Sequence, residues 1–228
     1  MESHADSGQR FQDRIDAGRV LAGRLAPYRG KDVLVLGIPR GGMLVAAEVS
    51  RRLEGELDVL VARKLGAPGQ PELAIGAVTA NGGEFVNEEL VGYLGVSSAY
   101  LQRVKQEQMA EAHRREALFR GARPVERIRD RIVILVDDGL ATGATMRAAV
   151  RSVRKHGPAL LVVAAPVGSR EACAALRGEA DEVVCPRVPE YFGAVGYFYE
   201  NFEPTEDSEV ETILREFCAP RGAAAQGR

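Results

Sequence analysis

Residues 133–146 have the sequence VILVDDGLATGATM. The first four, 133–136, are apolar and mostly β-branched, which predicts a strand buried on both faces of a parallel sheet. Two adjacent carboxylates, Asp137 and Asp138, stand where this strand should end. A loop of small residues follows, and residues 146–154 then carry apolar side chains on one side, as in a helix packed on a sheet.

A strand, a glycine-containing loop and a helix in this order form a common phosphate-binding arrangement. The loop amides and the positive end of the helix attract an anion. Thr142 and Thr145 add hydroxyl donors, and Gly143 lets the backbone approach the ligand closely. The carboxylates would repel a phosphate, so we expect them to hold ribose hydroxyls or a cation that travels with the ligand. The alternative is an ordinary strand–turn–helix with an Asp-rich turn, which the length and context of the motif disfavour.

This stretch resembles the phosphoribosyl-diphosphate-binding signature of type I phosphoribosyltransferases: an apolar strand, two acidic residues and a loop with Thr-Gly-x-Thr. The resemblance implies that Asp137 and Asp138 hold the 2′- and 3′-hydroxyls of the ribose. It also implies that the 5′-phosphate is bound by the loop residues Ala141, Thr142, Gly143, Ala144 and Thr145.

A second candidate anion site follows the predicted strand 33–37, VLVLG, and consists of Pro39, Arg40, Gly41 and Gly42. Arg40 supplies a planar, permanently charged guanidinium, and the two glycines allow the backbone amides to turn towards a bound anion. Alone, such a tetrapeptide is more typical of a simple turn. Its position between a buried strand and a helix favours an anion site, and in the family a short loop in this place binds the diphosphate.

A predicted strand at 57–62 leads directly into Arg63 and Lys64. Open α/β sheets bind ligands at the carboxyl ends of their strands, which is where this basic pair is expected. The segment is similar to the corresponding one of adenine-type members, and the similarity implies that Lys64 reaches the diphosphate with Arg63 beside it. The alternative is a solvated basic pair.

The aromatic segment 189–202 is a candidate base site. Its Pro-x-x-Phe and Val-Gly-Tyr pattern resembles the base-binding hood of hypoxanthine-type transferases, which implies that Phe192 stacks on the base with Tyr197 near it. An aromatic core patch is the alternative. Hypoxanthine-type members carry a carboxylate at the position of Ala141. Adenine-type members lack it, as this chain does. The base therefore stays open among purines, pyrimidines and other amines.

The predicted fold is an α/β fold with a parallel β-sheet flanked by helices, a flexible hairpin at 74–87 and a small C-terminal hood. The whole chain, 1–228, is expected to form one domain with a core of about 31–202. We predict a C-terminal helix at about 207–217 and an N-terminal helix at about 11–26, whose buried face would carry Phe11, Ile15, Gly18, Ala22 and Leu25. Residues 1–9 and 219–228 are predicted to be disordered.

Charge and cysteine content exclude several classes of protein. A net charge of −2 provides no general basic field, so nucleic acid is not an expected partner. The cysteines Cys173, Cys185 and Cys218 are scattered in the sequence, which fits a reducing compartment better than a disulfide framework. The start of the chain lacks the pattern of a secretory signal, and no apolar run is long enough for a membrane span. We therefore expect a soluble, cytoplasmic protein without a membrane partner.

The resemblance implies a glycosyltransferase that moves a 5-phosphoribosyl group from phosphoribosyl diphosphate to a base with release of diphosphate. Its catalytic residues would be Asp137, Asp138, Lys64 and Arg40, and its cofactor would be Mg²⁺. The sequence does not identify the protein ligands of this metal. Members of the family are commonly homodimers, so a homodimer is the expected assembly. The alternative is a non-catalytic protein of the same fold that senses phosphoribosyl diphosphate or a nucleotide. The sequence has no Gly-Lys-Ser/Thr loop and no histidine ligand spacing, which disfavours a nucleoside triphosphatase or a histidine-based metal hydrolase.

Overall fold

The computed structural model describes residues 10–121 and 127–218, so the termini predicted to be disordered lie outside the described residues. The strands in this part of the chain are β1 (Val33–Gly37), β2 (Glu56–Val59), β3 (Ala62–Ala67), β4 (Gln70–Thr79), β5 (Glu84–Val86), β6 (Ile132–Val136), β7 (Leu160–Ala164) and β8 (Glu182–Val184). The helices are α1 (Arg14–Arg24), α2 (Gly41–Leu53), α3 (Glu88–Tyr93), α4 (Ser98–Arg120), α5 (Ala144–Arg154), α6 (Arg170–Arg177) and α7 (Asp207–Cys218), with short 3₁₀ helices at Ala26–Tyr28 and Val195–Phe198.

A parallel sheet forms the centre of the molecule, with the strand order β2-β1-β6-β7-β8 among the described residues. Alternate side chains of its strands point to opposite faces. Val35 and Ile134 pack against α1, α2 and α7 on one face, whereas Leu36 and Leu135 pack against α5 and α6 on the other. Because both faces are covered, the strands are apolar throughout. The predicted α/β architecture is confirmed.

The predicted strand at 57–62 is wrong in one respect, because the apolar run belongs to two sheets. The chain leaves the central sheet after Val59: the amide of Leu60 donates to the Gly37 carbonyl at 3.1 Å, and the amide of Val61 donates to Glu116 Oε1 at 3.0 Å. Both residues remain buried in the turn, so hydrophobicity alone does not reveal the break. Lys64 consequently lies within β3 rather than in a loop.

Strands β3, β4 and β5 form a separate antiparallel sheet, and β4–β5 is the predicted hairpin with a longer first strand. This hairpin packs on α5. A Cβ added to Gly83 would lie 2.5 Å from Ser152 Cβ, Arg151 Nη1 donates to the Glu84 carbonyl at 3.1 Å, and Lys155 Nζ donates to the Gly82 carbonyl at 2.7 Å. The solvent-exposed end of the small sheet is instead formed by the β3–β4 connection, residues 68–69, and the first residues of β4, 70–73.

Helix α1 begins at Arg14 and not at Phe11, because the side chain of Asp13 accepts a hydrogen bond from the amide of Asp16 and caps the helix. The predicted buried face is also shifted: Ile15 is 37% exposed, whereas Arg14 is only 9% exposed. Phe11 pairs with Tyr199 in an isolated β-bridge. The C-terminal helix is confirmed as α7.

Two cysteines that are far apart in the sequence lie together in the structure. A Cβ added to Gly168 would lie 2.9 Å from Cys173 Sγ and 3.2 Å from Cys185 Sγ. The hydrogen bond from Cys185 lowers the pKa of the Cys173 thiol to about 7. These two cysteines are therefore scattered in the sequence but close in space. Both are free thiols.

Helix α4 begins after Ser97, whose side chain caps it, and its exposed face carries charge pairs such as Arg103–Glu107 and Arg114–Glu111. Its last turn holds a buried ionic network that the sequence did not indicate. Arg120 contacts the carboxylates of Asp58 and Glu116 at 3.0 and 3.1 Å and donates to the Val59 carbonyl at 2.9 Å. This network fixes the carboxyl end of β2, from which the chain continues into β3.

We expect Arg120→Met to lower the free energy of unfolding by about 3 kcal/mol, because two buried carboxylates lose the guanidinium that they share. Arg103→Met, in the exposed pair with Glu107 on the same helix, should leave the stability nearly unchanged. Urea unfolding of both variants measures the difference. Similar small losses in the two variants would show that the network does not stabilise the fold.

Candidate functional site

Three connections at the carboxyl ends of β1, β2 and β6 meet at one edge of the sheet. The first residues of α2 lie directly against the acidic pair that follows β6. A Cβ added to Gly42 would lie 2.9 Å from both Cα and Oδ1 of Asp137, and one added to Gly41 would collide with Asp138 Oδ2. The two glycines are therefore required for this approach, and the backbone after β1 borders the carboxylates. The Pro39–Arg40 peptide bond in this loop is cis.

The basic residues predicted for the site differ in their positions. Burial and the charge of Asp138 raise the pKa of Asp137, and the positive charge of Lys64 offsets part of that rise. Arg40 is exposed and lies 3.7 Å from Asp207 Oδ1, at the beginning of α7. Arg63 points towards α4, where its Nε donates to Gln108 Oε1 at 3.1 Å. Lys64 therefore acts on the acidic pair through its charge, whereas the side chains of Arg40 and Arg63 contact Asp207 and Gln108.

The acidic pair is partly withdrawn from water, and its two members are coupled. Burial raises the pKa of Asp137 well above its usual range, and the charge of Asp138 raises it further. Burial also raises the pKa of Asp138, while the hydrogen bond from Arg14 opposes that effect. The amide of Asp138 donates to Asp137 Oδ1 at 2.8 Å. Two such carboxylates are stabilised by hydroxyl donors or by a cation placed next to them.

The loop after the acidic pair leads into the amino end of α5. Gly143 caps this helix with φ of +73°, and a Cβ there would lie 3.2 Å from Ala172 Cβ. Thr142 is exposed and Thr145 is partly buried, and the amide of Ala144 donates to Thr142 Oγ1 at 3.4 Å. Gly143 has no side chain with which to cap the first amides of α5. These amides are the kind of donors that bind phosphate.

A neighbouring segment gives this loop its shape. The amide of Ser169 donates to the Leu140 carbonyl at 2.8 Å, and its hydroxyl donates to the Ala141 carbonyl at 2.7 Å. The Ser169 hydroxyl also caps α6 by accepting from the amide of Ala172. Ser169 therefore joins the loop that follows the acidic pair to the amino end of α6.

The aromatic segment packs behind the acidic pair. A Cβ added to Gly139 would lie 2.5 Å from Val195 Cγ1, so the 3₁₀ helix Val195–Phe198 rests on the backbone next to Asp138. Phe192 stacks on Phe198 with ring centroids 5.4 Å apart, within a cluster of partly buried aromatics. Tyr197 is 69% exposed and its ring lies over Gly193. Tyr197 therefore offers a free ring, whereas Phe192 shares one of its faces with Phe198.

Comparison with known proteins identifies the family. The model of the phosphoribosyl transferase domain matches residues 10–200. The chain belongs to this family. Two curated Mycobacterium tuberculosis relatives, "Putative phosphoribosyl transferase MT0597" of strain CDC 1551 / Oshkosh and "Putative phosphoribosyl transferase Rv0571c" of strain ATCC 25618 / H37Rv, are each 48% identical over 204 residues. The alignments cover 90% of this chain but 46% of each relative, so the chain spans about half of their length.

Solved structures show the same fold. The crystal structure of TT1426 from Thermus thermophilus is 46% identical, with a TM-score of 0.77, and the match covers 92% of this chain and 99% of that one. The AQ2163 protein from Aquifex aeolicus is 12% identical with a TM-score of 0.50, covering 80% and 78% of the two chains, and shares the fold alone. No helix in the described part of the chain has the length and apolar character needed to cross a membrane.

Two residues at this candidate site were not predicted from the sequence. Arg14 Nε contacts Asp138 Oδ2 at 2.7 Å, and the hydroxyl of Tyr199 donates to the Asp138 carbonyl at 2.6 Å. Burial raises the pKa of Tyr199 far above its ordinary value, so its hydroxyl keeps the proton that it donates. The spacing of residues in α1 could have indicated Arg14, because it is in helical register with the buried Leu21 and Leu25. An arginine at such a buried position needs an anionic partner.

The raised pKa of Asp137 predicts a pH-dependent cost to stability. The folded-state pKa lies above the unfolded value, so folding opposes ionisation, and stability should fall as pH rises from the ordinary carboxyl range through the raised pKa. In the absence of magnesium, Asp137→Asn should therefore raise the melting temperature at neutral pH, and the gain should shrink towards acid pH.

Differential scanning calorimetry across this pH range measures the effect. Glu72→Gln, a change at an exposed carboxylate of β4, is the matched control and should show no such gain. A melting temperature of Asp137→Asn that is lower than that of the wild type at neutral pH would contradict the raised pKa.

Proposed function

We propose that this chain is a phosphoribosyltransferase that moves a 5-phosphoribosyl group from phosphoribosyl diphosphate to a nitrogenous base and releases diphosphate. The observation that supports the proposal is the position of the acidic pair, which lies between the amino ends of two helices, α2 and α5. The glycines of α2 touch Asp137 and Asp138 on one side, and the chain reaches the amino end of α5 five residues later on the other. A sugar with a phosphate at each end matches this order of groups.

The ligand would be bound by three sets of groups. The ribose hydroxyls donate to the carboxylates of Asp137 and Asp138. The 5′-phosphate accepts from the amides and hydroxyls of 141–145. The diphosphate lies along 39–42 with Arg40 released from its long contact to Asp207, and Lys64 approaches from β3. Because a contact of 3.7 Å at a partly exposed position is weak, Arg40 can exchange Asp207 for a phosphate at little cost.

Mg²⁺ fits this donor set as a cation that arrives with the ligand. Among the described residues no cluster of three or more His, Cys, Asp or Glu side chains could hold a metal ion by itself. Mg²⁺ is usually bound by one or two carboxylates together with substrate phosphates. Asp137 and Asp138 supply the carboxylates, and the same crowding that raises their pKa values favours a positive charge beside them. Bound Mg²⁺ would neutralise charge that develops on the diphosphate.

The chain's own residues act by positioning and electrostatics. A nitrogen of the base attacks C1 of the sugar as the bond from C1 to the diphosphate oxygen breaks. Positive character develops on the sugar next to Asp137 and Asp138, and negative charge develops on the leaving group next to Lys64 and Arg40. Such a step requires no nucleophilic side chain, since the reacting atoms only need to be held in line.

The acceptor lies, in this proposal, between the sugar and the hood. Tyr197 offers an exposed ring for stacking, and Phe192 has one ring face left after its contact with Phe198. Ala141 places no carboxylate beside the acceptor. Recognition of the base would therefore depend on stacking and on backbone groups of the hood rather than on an acidic side chain at 141.

Diphosphate release from magnesium phosphoribosyl diphosphate, measured across a panel of purines, pyrimidines and other amines, tests the function. We expect release that depends on one class of base, with the corresponding ribosyl product visible by mass spectrometry. Binding of phosphoribosyl diphosphate without release for any acceptor would contradict a transferase and favour a sensing protein of the same fold.

Lys64→Met should lower kcat/KM for the accepted base by about 100-fold, the usual cost of removing one preorganised charge from a transition state. Lys31→Met is the matched control, because Lys31 is exposed before β1, at the opposite edge of the sheet. An unchanged kcat/KM in Lys64→Met would remove this lysine from the reacting centre.

A further inference from the structure

We propose that Arg14 is a positioning residue that orients the Asp138 carboxylate for the sugar and joins the hood to the acidic pair. The inference deepens the proposed function and rests on it. Arg14 belongs to α1, a helix that precedes the predicted core of the domain, about 31–202. This helix contributes none of the groups proposed above to contact the ligand.

The surroundings of Arg14 show that its guanidinium is held in one geometry. Nε donates to Asp138 Oδ2 at 2.7 Å, and Nη1 donates to the Glu203 carbonyl at 2.7 Å. The guanidinium carbon lies 3.9 Å from the centre of the Phe202 ring. The side chains of Arg14 and Asp138 are only 10% and 16% exposed, so their contact is shielded from solvent competition.

The contact with Arg14 uses one carboxylate oxygen of Asp138. Oδ2 accepts a hydrogen bond from Arg14 Nε, and the proposal assigns Oδ1 to a ligand hydroxyl. The main chain of the same residue is fixed on both sides, since its amide donates to Asp137 Oδ1 and its carbonyl accepts from Tyr199. The remaining freedom of Asp138 is rotation of the carboxylate, and Arg14 restrains that rotation. A carboxylate oriented in advance binds a hydroxyl without an ordering cost.

Arg14 also belongs to the same structural unit as the hood. The amide of Phe11 donates to the Phe198 carbonyl at 2.8 Å, and the amide of Glu200 donates back to the Phe11 carbonyl at 2.8 Å. The amide of Asn201 donates to the Gln12 carbonyl at 2.9 Å. The segment before α1 is therefore paired with the chain that carries the hood, and Arg14 connects this pair to Asp138.

The shape of the guanidinium matters as well as its charge. A lysine can place one charge near Asp138, but it cannot donate to Asp138 and Glu203 from a plane that also stacks on Phe202. The proposal therefore predicts a graded series. Ligand affinity should be lowest in Arg14→Met, which loses the charge and the hydrogen bonds. It should be intermediate in Arg14→Lys, which keeps only the charge, and highest in the wild type.

Isothermal titration calorimetry with magnesium phosphoribosyl diphosphate on the full chain tests this series. We expect Arg14→Met to weaken binding by about tenfold or more, in keeping with the loss of a hydrogen bond to a charged group, and Arg14→Lys to recover part of the loss. Arg19→Met, on the exposed face of the same helix where Arg19 is 71% exposed, should bind as the wild type does. Melting temperatures of all variants establish that each is folded.

Chemical rescue separates positioning from a general structural role. Guanidinium chloride, far below denaturing concentration, should restore part of the affinity of Arg14→Ala and should not change that of Arg19→Ala. Folded Arg14→Met that binds like the wild type would overturn the inference while leaving the proposed function intact. A loss of affinity that neither lysine nor guanidinium recovers would show a structural role only and would also overturn it. A wild type that does not bind phosphoribosyl diphosphate overturns the proposed function, and this inference with it.

Discussion

Two carboxylates, Asp137 and Asp138, lie side by side at the end of a buried strand, where loss of water raises the pKa of both and the charge of Asp138 raises that of Asp137 further. Much of the surrounding structure compensates for this constraint. The backbone of α2 approaches through two glycines, Lys64 brings a positive charge from the small sheet, and Arg14 makes a shielded ion pair. A pair of this kind costs stability when empty and is favoured when a ligand supplies hydroxyls or a cation.

The same arrangement explains why the proposed chemistry needs so few side chains. Parallel strands place the connections after β1, β2 and β6 at one edge of the sheet, and that edge is where open α/β folds bind ligands. Helix ends supply positive backbone groups, and the acidic pair lies between them. Family membership and the match to TT1426 agree with this organisation at the level of the fold. In the proposed function, specificity for the acceptor is left to the aromatic segment 189–202, which can vary without disturbing the acidic pair.

Residues with a strong local pattern were predictable from the sequence. The strand before Asp137, the glycine at the start of α5 and the Ser169 cap each follow from local chemistry, and all are present in the structure. Residues whose role depends on distant partners were not predictable. The break after Val59 depends on Glu116 of α4, and the buried position of Arg14 depends on Asp138, 124 residues away. Tertiary contacts override local pattern in both cases.

A crystal structure of the chain with magnesium phosphoribosyl diphosphate tests the central claim most directly. The account predicts both ribose hydroxyls within about 3 Å of the carboxylate oxygens of Asp137 and Asp138 and the 5′-phosphate on the backbone amides of 141–145. Arg14 should keep its contact with Asp138 Oδ2. A ligand bound elsewhere, for example in the open groove lined by Phe85, Arg147 and Arg151, without contact to the acidic pair, would contradict the account.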